Sequence, residues 1–455
     1  MPGSKLMKLR TKEKFMNKLI NVEEKMPILK TLPLSFQHLF AMVGSTILVP
    51  ILTKMNPSIA LLCSGIGTLL YIVCTKAKLP AYIGSSFAFI TPIIAVTTKY
   101  NAIDKTGISS IGAVSGGVIS AGIVYLIVAL LIGIFGIGWL NKALSPIVVG
   151  SVVIVIGLAL ATTAINWAGL NAAYTDPSLL SVPRWAWISV AMITLIVAII
   201  GSMYFKGFLG VIPILIAMLA GYVAALVLGV VPKSVLNEIV TTPFFKFPNI
   251  AIGKVMPKFN LDIILLMAPV SFVTLAEHIG HVYVTGNVVG KDFTKDPGLH
   301  RSILGDGVAT ITAGILGGPP NTTYGENIGV MAITKVYSVW VIGWAAIIAI
   351  VLSFIGPVSV FIENIPLPVI GGVSILLFGI IASSGFRIFV DDKIDFGKKR
   401  NLIIASVIIV LGIGGATLNL KIAGNNVPIA GVALATLVGV ILNLVLPENS
   451  NNEEA

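Results

Sequence analysis

Two glutamates lie inside segments of the chain that are otherwise too apolar to hold a charge. Glu277 lies in SFVTLAEHIGHVYVT (271–285), and Glu326 lies in PPNTTYGENIGVMAIT (319–334). A carboxylate at membrane depth costs on the order of a few kcal/mol unless it is paired, hydrated or protonated. Because such residues are rare in membrane helices and mark substrate or proton sites, both glutamates are candidate functional residues.

A histidine accompanies the first glutamate. His281 follows Glu277 by four residues, which places both side chains on one face of a helix, within reach of a direct or water-bridged hydrogen bond. A buried carboxyl beside an imidazole can exchange a proton near neutral pH. A histidine that only packs is the alternative interpretation of His281, and the neighbouring acid in an apolar segment weakens it.

The second glutamate opens a helical stretch directly after Gly325. Carboxylates are favoured at helix N-termini, where backbone N–H groups are free, so a purely capping role for Glu326 is the alternative. Neutral donors and acceptors surround the two polar segments: Ser85, Ser86, Asn321, Thr322, Thr323, Tyr324 and Asn327.

The substrate chemistry follows from these groups taken together. Carboxylates accept hydrogen bonds from ring N–H groups, backbone N–H groups donate to ring carbonyls, and an aromatic side chain such as Phe87 can stack on a ring. The pattern favours a small, flat, neutral, amide-like molecule. No phosphate loop, metal-ligand spacing or cation-rich pocket accompanies the acids, so neither a cofactor nor a metal is expected.

The elements that position these residues are membrane helices. Of the 455 residues, 56% are hydrophobic and 11% are charged, and the mean hydropathy is +0.99, whereas a soluble domain carries about 25% charged residues. We therefore predict an all-α polytopic membrane protein with about fourteen spans. The spans are 33–53, 57–75, 81–98, 110–136, 144–165, 185–204, 207–230, 261–286, 301–318, 322–336, 338–362, 366–386, 400–417 and 427–446.

The third and tenth spans differ from the others. They are short, rich in Gly, Ser, Thr and Pro, and interrupted at 81–92 and 317–327. Non-helical backbone at membrane depth is tolerated only where it is buried in protein or lines a cavity. Interrupted spans at corresponding positions of two halves mark a transporter's binding site near the bilayer midplane.

An internal repeat supports the pairing of these spans. A proline followed by two glycines, at positions 146, 150 and 157, recurs with the same spacing at 368, 372 and 379, seven spans later. An odd number of spans per repeat inverts one half relative to the other, which predicts a seven-plus-seven inverted repeat. Chance is the alternative, because Gly and Pro are common in membrane helices.

The positive charge is distributed as an orientation signal. The net charge is +11, and most Lys and Arg residues fall in the N-terminal segment or in loops on its side of the membrane, so no nucleic-acid partner is expected. We predict that the N-terminal segment (1–32) and the C-terminal tail (447–455) are both cytoplasmic. Cys63 and Cys74 lie in or near one early span and indicate no disulfide framework.

The chain resembles the nucleobase–ascorbate transporter family, in particular its bacterial members that carry uracil. Glu326, Asn327, Gly329, Thr334 and Lys335 match the family signature in type and spacing. Further matching segments are SFQHLFAM (35–42), PAYIGSSFAF (80–89), AEHIGH (276–281), DPGLHRS (296–302) and NTTYGENIGVMAIT (321–334). The resemblance covers residues 28 to 446, nearly the whole chain.

The resemblance implies a domain plan and a set of site residues. A core domain would comprise 33–136 and 261–362, a gate domain would comprise 144–230 and 366–446, and short strands in spans 3 and 10 would meet at the centre. The substrate-binding residues it implies are Glu277, Glu326, Phe87, Gly325, Ser86 and Tyr324, with His281 assisting the proton step at Glu277. The family's uracil carriers often have Tyr where this chain has Phe378, which leaves the contribution of span 12 open.

The expected function is proton-coupled uracil uptake across a bacterial inner membrane by alternating access. The expected partners are uracil, protons and the lipid bilayer, and the expected assembly is a homodimer. A purine or xanthine proton symporter of the same family is the main alternative. A related anion transporter would favour a cationic residue near the breaks, and an intramembrane enzyme would require a nucleophile or metal set near the acids. The sequence provides neither, so the chain is not expected to be an enzyme.

Overall fold

The computed structural model describes residues 19–104, 107–173, 182–207, 209–422 and 425–447. Within these ranges the protein is predominantly helical. The elements up to the middle of the chain are α1 (Ile28–Thr53), α2 (Pro57–Cys74), β1 (Ile83–Ser85), a 3₁₀ turn (Phe87–Phe89), α3 (Ile90–Ile103), α4 (Ile108–Phe135), α5 (Gly138–Ala143), α6 (Pro146–Ala159), α7 (Ala161–Trp167), α8 (Arg184–Tyr204), α9 (Pro213–Val227) and α10 (Lys233–Thr241).

The second half continues in the same manner. It contains α11 (Leu261–Met267), α12 (Val270–Val289), α13 (Leu299–Leu316), β2 (Asn321–Thr323), α14 (Gly325–Thr334), α15 (Val339–Ser353), α16 (Gly356–Glu363), α17 (Leu367–Asp391), α18 (Lys399–Ile413), β3 (Thr417–Ile422), β4 (Asn425–Ala430) and α19 (Gly431–Val445).

Several of these helices can cross a bilayer. In the described ranges, seven helical stretches are long and apolar enough: α1, α2, α4, α6–α7, α8, α11–α12 and α17. Three shorter apolar helices, α9, α15 and α19, accompany them. The predictions of a helical fold and of a multi-pass membrane protein are confirmed, whereas the count of fourteen spans stays a prediction.

Strands occupy both predicted interruptions. β1 and β2 pair antiparallel, with Ile83 opposite Thr323 and Ser85 opposite Asn321, and both strands are fully buried. A Cβ at Gly84 would lie 2.6 Å from the ring of Tyr324, so a glycine is needed where that ring crosses the strand. The pairing satisfies backbone groups that would otherwise be unbonded at membrane depth.

The second predicted repeat motif lies on α17, which packs against α6. A Cβ at Gly157 would lie 2.5 Å from the carbonyl oxygen of Phe378, and one at Gly150 would lie 3.0 Å from that of Gly385. These two glycines therefore permit close backbone contact between α6 and α17. The contact at Gly157 fixes the position of Phe378 along α6. Gly379, in contrast, has open space beside it.

Two features differ from the sequence prediction. The predicted last span, 427–446, begins as strand β4, and its helix starts only at Gly431. β4 pairs with β3 in a hairpin that was not predicted. The apolar run before Gly431 is too short for hydrophobicity alone to distinguish a strand from a helix.

The predicted terminal segments are described only in part, because residues 1–18 and 448–455 lie outside the described ranges. The portion of the N-terminal segment that is described lies along the loop after α14. The Ile20 N–H donates to the Lys335 carbonyl at 3.1 Å, the Tyr337 N–H donates to the Ile20 carbonyl at 2.9 Å, and Val22 is fully buried.

Candidate functional site

The site is organised by two helical segments that begin where β1 and β2 meet. The Ser86 N–H donates to the Pro320 carbonyl at 2.9 Å, and the Tyr324 N–H donates to the Tyr82 carbonyl at 3.0 Å. The 3₁₀ turn leading into α3 starts after Ser86 and α14 starts after Tyr324, and neither start has a side-chain cap. Both starts therefore present backbone N–H groups at the centre of the protein.

Glu326 lies in the first turn of α14, as the sequence predicted for an acid at a helix N-terminus. Its side chain is exposed, and its Oε1 accepts a hydrogen bond of 2.8 Å from the Ser45 hydroxyl of α1. The next residue, Asn327, is buried and donates through Nδ2 to the His38 carbonyl at 3.0 Å. The carboxylate is therefore held by α1 and by the start of its own helix.

Glu277 lies in the middle of α12 and is half-buried. None of the described residues donates a hydrogen bond to its carboxylate. It lies within electrostatic range of Glu326 and of Asp306 on α13. The structure thus brings the two predicted glutamates to one place, and it leaves Glu277 without a protein donor.

His281 lies one turn after Glu277 on the same helix. Its Nδ1 is 3.0 Å from the Thr323 hydroxyl of β2, and its Nε2 is 3.1 Å from the position that a Cβ of Gly325 would take. The imidazole therefore joins α12 to the strand pair rather than bonding directly to Glu277. A side chain at position 325 would press on this ring, which explains a glycine there.

Phe87 opens the 3₁₀ turn after β1 and meets Phe378 of α17. The rings are T-shaped, with centroids 6.5 Å apart and an interplanar angle of 82°. Ser86 is buried, and its hydroxyl has no partner among the described residues; the same holds for Ser374, one turn before Phe378 on α17. Two aromatic rings and two unpartnered hydroxyls thus come from opposite halves of the chain.

Tyr324 packs against the strand pair. Its hydroxyl donates to the Ser85 carbonyl at 3.0 Å and lies 3.1 Å from the Thr46 hydroxyl, while its ring stacks on Tyr82. The side chain braces the strand pair from behind, and a direct contact between Tyr324 and substrate stays a prediction.

A buried polar cluster behind α12 was not predicted. His278 Nδ1 lies 2.9 Å from Asp306 Oδ2, and both side chains are fully buried. The two atoms are close enough for an ion pair, but their geometry does not meet the angle of a hydrogen bond. Neither carboxylate oxygen of Asp306 therefore accepts a hydrogen bond from the described residues. His278 Nε2 lies 2.6 Å from the Ser302 hydroxyl, which lies 2.7 Å from the Tyr71 hydroxyl.

The sequence contained one signal for this cluster, the isolated Asp306 between Gly305 and Gly307 in an apolar helix. Its partner His278, the residue after Glu277, points toward α13. The Ser45 contact had no sequence signal.

The assembled groups can hold a neutral ring that both donates and accepts hydrogen bonds. Carboxylates serve as acceptors, free helix N-termini serve as donors, and two rings provide apolar faces. No group of three or more His, Cys, Asp or Glu side chains suited to a metal occurs within the described ranges.

A helical membrane protein in which two short helical segments begin at a buried strand pair has the architecture of a secondary transporter. Solved transporters share the fold. The transmembrane domain of the cyanobacterial bicarbonate transporter BicA aligns with a TM-score of 0.64 at 14% identity, covering 94% of this chain and 100% of that one. Murine Slc26a9, an anion transporter, aligns with a TM-score of 0.67 at 11% identity, covering 93% of this chain and 68% of that one.

Sequence relatives define the family. The model described as the permease family (Xan_ur_permease) matches residues 29–421, and the chain belongs to this family of transporters. The uracil permease of Bacillus subtilis (strain 168) is 52% identical over 91% of this chain and 92% of its own length. That of Escherichia coli (strain K12) is 44% identical over 94% of this chain and 93% of its own length. The resemblance found in the motifs is confirmed, and so is the prediction of a transporter rather than an enzyme.

Proposed function

We propose that this protein imports uracil across the bacterial inner membrane in symport with protons. The observation that carries the proposal is the convergence of Glu277, Glu326 and two free helix starts at the β1–β2 pair. Uracil has ring N–H groups and ring carbonyls in one plane, which matches the acceptors and donors gathered at the strand pair. Relatives named uracil permease, 44–52% identical over most of the chain, support this substrate.

The binding residues have complementary roles. Glu326, held by Ser45, accepts a hydrogen bond from a ring N–H group. The backbone N–H groups at Phe87 and Gly325, at the two helix starts, donate to ring carbonyls. The Phe87 ring packs on the face of the base, and the unpartnered Ser86 hydroxyl is available to it.

Glu277 carries the coupled proton in this proposal. Of the two carboxylates, Glu277 is the one that lacks a hydrogen-bond donor from the described residues. Protonation and a hydrogen bond to uracil therefore stabilise it at membrane depth. Protonated Glu277 binds the base from outside, and release of the proton inside accompanies release of the base. His281, joined to the strand pair through Thr323, assists the proton transfer at Glu277.

The finer architecture belongs to the same proposal. The chain crosses the membrane about fourteen times as a seven-plus-seven inverted repeat, with both termini cytoplasmic. A core domain (33–136 and 261–362) moves against a gate domain (144–230 and 366–446) to alternate access. The Phe87–Phe378 contact joins these two domains, and a homodimer is the proposed assembly.

Uptake of radiolabelled uracil into proteoliposomes tests the function directly. We expect uptake to be faster with an acidic exterior, to collapse with a protonophore, and to be inhibited by unlabelled uracil more than by xanthine. Stronger inhibition by xanthine would favour a purine or xanthine symporter. Uptake that is indifferent to pH and protonophore would remove proton coupling.

A further inference from the structure

A cationic cavity lies far from the candidate site, at the side of the protein where α6 and α18 begin and α19 ends. Its volume is about 300 Å³. The lining residues are Asn141, Lys142, Ser145, Lys398, Arg400, Asn401 and Asn443. Three of these are cations and none is an acid, so the cavity has a positive potential.

A buried asparagine holds the cavity together. Asn443 donates through Nδ2 to the Lys142 carbonyl at 2.7 Å, and its Oδ1 accepts from the Ser145 hydroxyl at 2.7 Å and from Arg400 Nη2 at 3.0 Å. Arg400 also donates to the carbonyls of Asn443 and Leu446 at the end of α19. The three chain segments are therefore fixed relative to one another, and the cavity is a built feature rather than a gap between loops.

No acid among the described residues neutralises these positive charges. Neither Lys142 nor Lys398 has an acidic or hydrogen-bonding partner for its ammonium group in the described ranges. The acids that precede α18 in sequence, Asp391, Asp392 and Asp395, do not line the cavity. Asp395 accepts from the Gly397 N–H at 2.8 Å, and Asp391 pairs with Arg387 at 3.2 Å. Three like charges gathered without a counter-charge favour an external anion.

The helix ends add to the same preference. α6 starts after Ser145 and α18 starts after Lys398, and neither helix has a side-chain cap or an acid in its first turn. The start of α18 thus presents free N–H groups beside the three cations, an arrangement suited to phosphate oxygens. α6 contributes little to it, because its first residue, Pro146, has no N–H and the Val148 N–H donates to the Ser145 carbonyl at 2.9 Å.

The surroundings indicate what carries the phosphate. Leu402 on α18, and Leu444 and Val445 on α19, lie within two residues of lining residues in sequence, and their apolar side chains are exposed. A cationic cavity between helices that also expose apolar side chains matches a phospholipid, with its headgroup in the cavity and its acyl chains along the helices.

We propose that this cavity binds the phosphate headgroup of an anionic phospholipid in the inner leaflet. The assignment to the inner leaflet depends on the proposed orientation of the chain in the membrane. The lipid binding itself does not depend on uracil transport. A lipid in this cavity anchors α6, α18 and α19 to the bilayer.

Native mass spectrometry of the delipidated full chain, titrated with phosphatidylglycerol, phosphatidylcholine or inorganic phosphate, tests the proposal. We expect preferential binding of phosphatidylglycerol. The double variant Lys142→Gln/Lys398→Gln should bind it about 25-fold more weakly, at roughly fivefold for each cation near the surface. The control Lys393→Gln/Lys399→Gln, which removes two cations outside the cavity from the same side, should bind within about twofold of wild type.

Several results would overturn the proposal. These are equal binding of phosphatidylcholine, wild-type affinity in Lys142→Gln/Lys398→Gln, or an equal loss in the control variant. Competition by inorganic phosphate at the concentration of the lipid would assign the cavity to a free anion. A truncated variant that ends at Pro447 lacks the acidic residues Glu448, Glu453 and Glu454. Lipid binding by this variant but not by the full chain would mean that the acidic tail, and not a lipid, occupies the cavity.

Discussion

The region around Glu277 and the region around Glu326 provide different surroundings for a carboxylate. Glu326 stands at a helix start and accepts a hydrogen bond from Ser45, so its charge has two sources of stabilisation. Glu277 lies in mid-helix, with no donor among the described residues and with Asp306 and Glu326 in electrostatic range. The first region is suited to a permanent acceptor and the second to an acid that gains and loses a proton.

This difference separates binding from coupling. A carboxylate with fixed donors keeps one hydrogen-bonding pattern through the transport cycle, whereas a carboxyl without them changes its pattern when it is protonated. Substitutions at the two glutamates should therefore have different consequences, and not merely consequences of different size.

The largest effect is expected for Glu277→Gln. An amide both donates and accepts, as a protonated carboxyl does, so this variant should still bind uracil with weak dependence on pH. Because it has no proton to release, it should fail to concentrate uracil, and the accumulation ratio should fall to about one. Equilibrium binding at pH 5.5 and 8, together with net uptake and label exchange, measures these quantities.

Glu238→Gln, which removes an exposed acid on α10, is the matched control and should accumulate uracil as wild type does.

His281→Ala should slow coupled uptake while leaving more of the binding intact. If Glu277→Gln still accumulates uracil with full pH dependence, the proton site lies elsewhere, with Glu326 and then Asp306 as the next candidates.

Glu326→Gln should weaken binding and leave coupling in place. Losing one charge-assisted hydrogen bond costs about 1.5–3 kcal/mol, or roughly 10–150-fold in affinity. Titration with radiolabelled uracil gives the affinity, and accumulation at saturating uracil tests coupling. Wild-type affinity in this variant would mean that Glu326 only caps α14.

Ser45→Ala should have a smaller effect of the same kind. It removes the donor to Glu326 Oε1, and because Glu326 itself remains, the loss should fall at the lower end of the range for one hydrogen bond to a charged group, roughly tenfold in affinity. Thr53→Val is the control on the same helix, because the Thr53 hydroxyl bonds only to carbonyls of α1. Equal affinities for Ser45→Ala and wild type would show that the helix start alone holds Glu326.

Phe87→Leu should have the smallest effect. The main contact proposed at this position is the backbone N–H, and the ring adds about 1 kcal/mol, or roughly fivefold in affinity. Phe36→Leu, at a partly exposed ring of α1, should leave affinity unchanged. Loss of folding in Phe87→Leu, measured by thermal unfolding of the purified protein, would identify the ring as core packing with Phe378.

The main features of the site could be predicted because they are local in sequence. Apolar runs identified the membrane helices, breaks rich in Gly, Ser and Thr identified the segments that became β1 and β2, and a glutamate after Gly325 identified a helix start. Each of these signals lies within one or two turns of chain, where residue type and spacing determine the backbone.

The remaining features could not be predicted because they depend on distant contacts. Ser45 meets Glu326 across 281 residues, and His278 meets a hydroxyl and a carboxylate on a different helix. Helix phase gives the direction of a side chain and leaves its partner undetermined. The direct or water-bridged hydrogen bond predicted between His281 and Glu277 illustrates this. No direct hydrogen bond joins the two among the described residues, and the imidazole contacts Thr323 on the strand pair, so a water-bridged contact stays a prediction.

Proton movement driven by uracil shows whether Glu277 carries the coupled proton. Wild type and Glu277→Gln are reconstituted in proteoliposomes that contain a pH-sensitive dye, with equal pH on both sides, and uracil is then added outside. We expect acidification of the lumen by wild type, little or none by Glu277→Gln, and acidification by Glu326→Gln once uracil is saturating. Uracil-driven acidification by Glu277→Gln at the wild-type rate would contradict the assignment of the coupled proton to Glu277.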